Sequence, residues 1–264
     1  MLNATASRHA EPFPLDGPDR LADRRGTQGR TPAAERFAVR MVRPGIVSAT
    51  LPSHVATVVE LRAAAAVLGP VVDAVLIREP PGGHGLALTH RAAVLRAEGA
   101  DVIVALSGRD RNRVAVEGEL AALADIDIAA VLVPGREPTL DLDATQIAAL
   151  ARRAGHTVAV PEAYRAADDG ADLVLGGPGG SGGSSVIERA ARRSPSPRPT
   201  LAVVTVDVAL EGPEVSRLAE IEAAMRTPGV VGIHLEIREV DRGGPPRIAE
   251  SIARLAARIR RVEP

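Results

Sequence analysis

Short apolar runs alternate with segments of helical periodicity from about residue 36 to the end of the chain. The runs are rich in β-branched residues and almost continuously apolar, which is typical of strands buried on both faces of a parallel sheet. Eight such runs occur: RFAVRMV (36–42), VVDAVLI (71–77), ADVIVAL (100–106), IAAVLVP (128–134), HTVAVP (156–161), ADLVLG (171–176), TLAVVTVDV (200–208) and VVGIHLEI (230–237). Each run is followed by a segment that could form a helix.

Three of these intervening segments show helical spacing most clearly. They are Val55, Val58, Val59 and Arg62 after a candidate N-cap at Ser53, then Val215, Leu218 and Met225 after Pro213, and finally Ile248, Ile252, Leu255 and Ile259. Regular strand–helix alternation predicts a parallel sheet covered by helices. Eight units in about 225 residues favour a closed (β/α)8 barrel of the TIM type, and a doubly wound open sheet is the competing architecture.

The first 36 residues differ in composition from the rest of the chain. Residues 1–36 are rich in Pro, Gly, Arg and Asp and have no sustained apolar period. Such a segment cannot bury enough apolar surface to offset the cost of ordering it. The sequence therefore predicts a disordered or loosely attached extension over residues 1–36 and a single barrel domain over residues 37–264.

Composition excludes several classes of function. The chain has no cysteine, and all 32 basic residues are arginines, so neither thiolate ligands nor a Schiff-base lysine are available. A net charge of -1 with two Phe, one Tyr and no Trp argues against nucleic-acid binding. No apolar run approaches the roughly 18 residues of a membrane span, and no secretory signal is evident, so we expect a cytoplasmic protein. The six histidines, His84 and His90 among them, show no metal-ligand spacing, and no metal is predicted.

A charged element follows the third apolar run. Ser107, Arg109, Asp110 and Asn112 come where this strand passes into a helix. Active sites of (β/α)8 barrels lie at the carboxyl ends of the strands, so these side chains are expected at the catalytic face. The alternative is that Asp110 caps the next helix while the arginines are solvated.

The same element carries a resemblance to a known family. LSGRDRNRVAVEGELAAL (106–123) resembles the third βα unit of bacterial methylenetetrahydrofolate reductases, in which a strand runs into an R-D-R-N element. VLVPGREPTLDLDATQI (131–147) resembles that family's fourth strand and following D-L-D segment, with Asp141, Leu142, Asp143 and Gln146 in matching positions. VVDAVLIREPPGG and GVVGIHLEI are weaker matches to the second and eighth strands.

The resemblance implies a function as well as a fold. Members of that family are (β/α)8 barrels that bind FAD, accept hydride from NAD(P)H and reduce 5,10-methylenetetrahydrofolate. By this resemblance the cofactor-binding residues would be Ser107, Arg109, Asp110, Asn112 and Gly135. The ligand would be a folate or another anion.

Three arginines replace residues that the family uses for its chemistry. Arg40 aligns with a glutamate of the first strand, Arg78 with a threonine after the second, and Arg136 with an aspartate after the fourth. An arginine cannot donate the proton that a carboxylic acid supplies. The three guanidinium groups could instead form an anion-binding pocket. Alternatively, some of them point outward and pair with Glu79, Glu137 or Asp110.

The eighth strand offers the best remaining acid. His234 and Glu236 are two residues apart and share a face of the strand. If that face is inward, Glu236 becomes the predicted catalytic acid, and otherwise it is a lining or surface residue. Asp207 on the seventh strand is equally ambiguous.

Three functions remain open at this point. The first is a divergent methylenetetrahydrofolate reductase-like oxidoreductase. The second is a non-catalytic folate- or anion-binding protein on the same barrel, a pseudoenzyme or a partner subunit. Whichever function holds, the chain could also form a homo-oligomer. The third is an unrelated barrel that binds a phosphorylated metabolite through the glycine-rich segment Gly176–Ser185, which could also be a plain surface loop.

Overall fold

Eight parallel strands close into a single barrel in the order of the sequence, β1 to β8. The fold comes from a computed structural model that describes residues 29–40, 43–51, 55, 57–79, 85–134, 141–161, 171–176, 199–207, 221–238 and 245–262. The predicted (β/α)8 barrel is confirmed. No described helix is both long enough and apolar enough to cross a membrane.

The strands are short, as is usual in a barrel of this kind. They are β1 Ile46–Thr50, β2 Ala74–Ile77, β3 Val102–Ala105, β4 Ala130–Leu132, β5 Thr157–Pro161, β6 Leu173–Gly176, β7 Thr200–Asp207 and β8 Val230–Arg238. The ring closes between β1 and β8, where Ser48 lies opposite His234. Gly232 sits at this seam because a Cβ there would lie 2.1 Å from the Ile46 carbonyl oxygen.

Helices cover the outside of the barrel. They are α1 Pro32–Arg40, α2 Val58–Leu68, α3 Leu88–Ala97, α4 Arg113–Asp125, α5 Ala144–Arg153 and α6 Pro245–Val262, and residues 221–225 are also helical. Thr57, Asn112 and Asp143 cap α2, α4 and α5 by accepting hydrogen bonds from backbone N–H groups of the first turn. The periodicity that predicts α6 is confirmed, since Ile252, Leu255 and Ile259 are buried.

The first predicted strand is wrong. Residues 36–42 were expected to form β1, but residues 32–40 form α1, and β1 is the segment Ile46–Thr50. Pro32 suits the first helical position, and the four-residue spacing of Ala33 and Phe37 puts both on one buried face. The predicted domain boundary between residues 36 and 37 falls inside this helix, and residues 1–28 lie outside the described residues.

Helix α1 closes the amino-terminal end of the barrel, here called the floor. Ala33 and Phe37 join the core inside the barrel, which includes Ile46, Leu76 and Leu201 from the strands. The Ala34 carbonyl accepts from the Thr157 hydroxyl at the start of β5, at 3.1 Å. Full burial of a phenylalanine stabilises a fold by about 2 kcal/mol, so α1 is part of the folded barrel. The opposite end, where the strands finish, is called the mouth.

Candidate functional site

The mouth carries an ion pair between β2 and β8. Arg78, the first residue after β2, donates from Nη1 to Glu236 Oε1 at 2.6 Å. Neighbouring residues of β8, Ile233 and Leu235, belong to the outer core against the helices, so Glu236 faces the barrel interior. The sequence left open whether the face of β8 that carries Glu236 is inward, and in the structure it is inward. Both side chains remain partly exposed, and an incoming ligand can reach them.

A buried histidine lies one inward position deeper on β8. His234 is completely buried, with Nδ1 at 2.9 Å from Ser48 Oγ and Nε2 at 2.8 Å from Thr50 Oγ1. Burial, together with a smaller contribution from the nearby positive charge of Arg78, lowers the pKa of His234 to about 3. At neutral pH the imidazole is uncharged, and both of its nitrogens are occupied.

A second ion pair stands at the rim between β2 and β3. Glu79 pairs with Arg111, whose Nη1 also donates to the Ser107 carbonyl oxygen at 2.9 Å. Ser107 Oγ accepts from the Arg109 backbone N–H at 3.0 Å. This pair ties the β2 and β3 loops together, a link that our sequence analysis missed because it considered Glu79 only as a partner for other arginines.

The remaining residues of the charged element cap a helix or lie exposed at the rim. Asn112 accepts from the Ala115 backbone N–H at 2.9 Å and caps α4, so the cap is Asn112 and not Asp110. Asp110 has a left-handed backbone with φ 57° and a carboxylate that is 89% exposed. Arg109 approaches Asp110 at 3.6 Å and is also half exposed. These positions are compatible with a polar rim at the mouth.

The D-L-D segment likewise has a local explanation. Asp143 and Gln146 form a reciprocal capping box at the start of α5. Asp141 accepts from the Arg113 backbone N–H at 3.1 Å, and Leu142 is buried in the outer core. Helix-start chemistry therefore accounts for the second motif that resembled the reductases.

Arg40 does not lie at the mouth. It ends α1 at the floor, where Nη1 lies 3.6 Å from the carboxylates of both Asp73 and Asp101, which precede β2 and β3. Arg260 of α6 reaches the same Asp73 at 2.8 Å. These residues line a cleft of about 310 Å³. The predicted anion pocket of Arg40, Arg78 and Arg136 is therefore wrong in its placement of Arg40. The segment that carries Arg40 is a helix at the floor and not a strand that ends at the mouth.

Several predicted residues fall outside the described residues. They are Gly135, Arg136, Glu137, His84 and the glycine-rich segment after Gly176. His90 is exposed on α3, and Asp207 is the last residue of β7. Within the described ranges, no group of three or more His, Asp or Glu side chains is arranged to hold a metal ion.

Solved structures of several enzymes are similar to this chain in fold. One is the tryptophan synthase alpha-subunit of Pyrococcus furiosus, at 12% identity and a TM-score of 0.58, covering 83% of this chain and 99% of that chain. A second is 2,3-dimethylmalate lyase, a member of the PEP mutase/isocitrate lyase superfamily, at 15% identity and a TM-score of 0.55, covering 86% and 85%. A third is oxaloacetate acetylhydrolase, at 14% identity and a TM-score of 0.52, covering 78% and 80%. At these identities the likeness shows the fold alone.

These comparisons overturn the resemblance to methylenetetrahydrofolate reductases. The similar structures named above are oxaloacetate acetylhydrolase, 2,3-dimethylmalate lyase and a tryptophan synthase alpha-subunit, and the predicted family and its folate reduction are therefore wrong. A scan of protein-family models finds no match to the sequence, and a comparison with curated proteins finds none. Binding of FAD and of NAD(P)H follows from that resemblance alone and stays a prediction without a test.

Proposed function

We propose that this protein is a lyase-type enzyme that binds a small carboxylate at the mouth of the barrel. The observation that carries the proposal is the Arg78–Glu236 pair, which brings an anion-binding group and a base together at the carboxyl ends of β2 and β8. In (β/α)8 enzymes this end of the barrel is where catalytic side chains collect.

The pair suggests how a substrate would enter. A substrate carboxylate competes with Glu236 for Arg78, because a guanidinium binds any carboxylate in the same planar geometry. Displaced from its partner, Glu236 becomes an unpaired carboxylate beside the bound substrate. It then removes the proton of a substrate hydroxyl as a general base; the hydroxyl becomes a carbonyl as the adjacent C–C bond breaks, and the electron pair leaves with the other fragment as an enolate, which a water proton then neutralises. Arg78 holds the substrate carboxylate in place throughout.

His234 is assigned a different role from Glu236. Its two nitrogens are held by Ser48 and Thr50, and it is neutral over the physiological pH range. A proton donor or acceptor must be able to change its protonation state near the working pH, and His234 does not. The imidazole instead is a rigid polar support that lies beneath the Arg78–Glu236 pair.

The names of similar structures support the choice of substrate class. Oxaloacetate acetylhydrolase has been solved with its product oxalate and with the inhibitor 3,3-difluorooxalacetate, and 2,3-dimethylmalate lyase is named for another dicarboxylate. Both are barrels of the same architecture. Small dicarboxylates are therefore the first compounds to test against this mouth.

The test measures carboxylate affinity by titration calorimetry with oxalate and malate, and turnover with oxaloacetate and malate. We expect Arg78→Met to lower affinity about 10- to 100-fold, because a charge-assisted hydrogen-bonded contact is lost. Glu236→Gln should bind at least as tightly as the wild type, since the internal competitor has lost its charge, and should lose turnover.

Arg226→Met is the matched control. Arg226 is also an exposed, ion-paired arginine, bonded to Glu222, but it lies just before β8 at the floor. Its replacement should leave affinity and turnover unchanged. The proposal fails if Arg78→Met binds carboxylates as the wild type does, or if Glu236→Gln keeps full turnover.

A further inference from the structure

Arg91 occupies a buried position on the inner side of α3. It is 1% exposed and is spaced with Leu88, Ala92 and Leu95 along the face that packs against the sheet. Those three neighbours belong to the core between strands and helices. Arginine is almost never fully buried without a partner for its charge.

Among the described residues, no carboxylate forms an ion pair with Arg91. Nη1 donates to the Arg78 carbonyl oxygen at 2.6 Å, which places the guanidinium beside the carboxyl end of β2. Nε and Nη2 are buried and have no hydrogen-bond partner in the part of the chain that the structure describes. Glu79, which follows Arg78 in the chain, pairs with Arg111, and Glu119 accepts from the Thr89 hydroxyl. Desolvation by burial lowers the pKa of Arg91.

The two unpaired nitrogens share one edge of the guanidinium. Nε–H and an N–H of Nη2 point in parallel, and this edge is the one that binds both oxygens of a carboxylate or phosphate. Water could accept from the nitrogens, but it would leave the buried charge without a counter-ion. A compact oxyanion satisfies both requirements.

The first turn of α3 adds a second favourable feature. Arg91 is the fourth residue of this ten-residue helix, and long side chains on a helix lean toward its amino terminus. The residue before the helix is Ala87, which offers no side-chain cap to the first-turn N–H groups. Helix amino termini attract anions through these groups and through the helix dipole.

We propose that Arg91 and the first turn of α3 bind a compact oxyanion, a carboxylate or a phosphate group, between β2 and α3. This subsite is separate from the proposed mouth site, because Arg78 turns its side chain toward Glu236 inside the barrel while Arg91 lies in the layer outside it. The bound anion steadies the end of β2 through the Arg91–Arg78 carbonyl bond.

The experiment titrates inorganic phosphate and, in a second arm, formate into the full chain at constant ionic strength. Thermal stability and equilibrium dialysis are the readouts, since an anion that binds only the folded state raises Tm in a saturable way. We expect saturable binding to the wild type. Arg91→Met should lose about 10- to 100-fold in affinity at this subsite, and Arg91→Lys, which keeps the charge without the planar edge, should fall between the two.

Two further variants separate this subsite from the mouth. Arg78→Met removes the mouth arginine but keeps the backbone carbonyl that Arg91 binds, so the Arg91 subsite should survive in it. Arg226→Met should respond as the wild type does.

Two results would overturn the proposal. One is the absence of saturable phosphate and formate binding in both the wild type and Arg78→Met, a result that does not depend on whether Arg91 variants fold. The other is unchanged anion affinity in Arg91→Met or Arg91→Lys. Loss of binding in Arg78→Met with Arg91→Met unaffected would refute this subsite and leave the proposed function standing.

The relative affinities for the two anions identify the ligand class. A preference for phosphate over formate would identify a phosphate group as the natural ligand, and a preference for formate would identify a carboxylate.

Discussion

Acidification should destabilise the barrel through His234. Its pKa is about 3 in the folded chain against an ordinary value of 6.5, so the unfolded chain takes up a proton first as the pH falls. The stabilisation from the neutral imidazole is complete above pH 6.5 and is lost progressively toward pH 3. From these two values the loss is about 2 kcal/mol between pH 7 and pH 5, and roughly 5 kcal/mol in all.

The measurement is urea unfolding at pH 7, 6 and 5 for the wild type and for His234→Gln. Glutamine can still donate to and accept from Ser48 and Thr50 but does not titrate. His156 is also buried with a lowered pKa, and all carboxylates titrate too, but these groups are common to both proteins. The difference in free energy of unfolding between wild type and variant should therefore shrink by about 2 kcal/mol on going from pH 7 to pH 5.

Two outcomes would refute this reasoning. The first is an equal loss of stability in the wild type and in His234→Gln over that pH range. The second is an NMR titration in which the His234 ring resonances shift with a midpoint near the ordinary pKa. Either result would mean that the imidazole is solvated or has an acidic neighbour, against the buried position between β1 and β8.

Two further substitutions test the barrel itself. Gly232→Ala should destabilise it by about 3 kcal/mol in urea unfolding, because the new Cβ would meet the Ile46 backbone and the seam must open. Asp127→Asn should cost about 1 kcal/mol. Asparagine tolerates the left-handed backbone at φ 56°. Burial alone would raise the pKa of Asp127, but bonds from the Ala33 N–H, Arg96 and Arg36 outweigh it and lower that pKa, so this cost should vanish as the pH falls below the carboxylate's usual range. An undiminished difference at low pH would contradict the assignment.

The barrel could be predicted because its outer faces repeat a simple pattern. Seven of the eight strands follow near-continuous apolar runs, and the helices between them carry their buried residues three and four apart. The strand that was missed, Ile46–Thr50, is the one whose inward residues Ser48 and Thr50 are polar. Its apolar signal is weakened by the hydroxyls that hold His234, so the chemistry of the interior concealed the strand from a search for hydrophobic runs.

The candidate site was only partly accessible to sequence reasoning. Glu236 and Arg78 could be placed at strand ends, but their pairing depends on the closure of the barrel, which brings residues 158 positions apart together. Arg91 left a readable signal, because it lies three residues after Leu88 and four before Leu95 on an otherwise apolar face. Asn112 and Asp143 resembled family motifs because helix starts after barrel strands need the same capping residues in unrelated proteins.

The closure of the floor by α1 determines how the molecule can be oriented on a support. Arg40 at the end of α1 and Arg260 near the end of α6 both contact Asp73. The first and the last of the described helices in chain order therefore end on the same face of the barrel. That face is opposite the end that carries Arg78 and Glu236. A tether or reporter attached through either helix end would therefore turn every barrel in the same direction, with the end that carries Arg78 and Glu236 open to the surrounding solution.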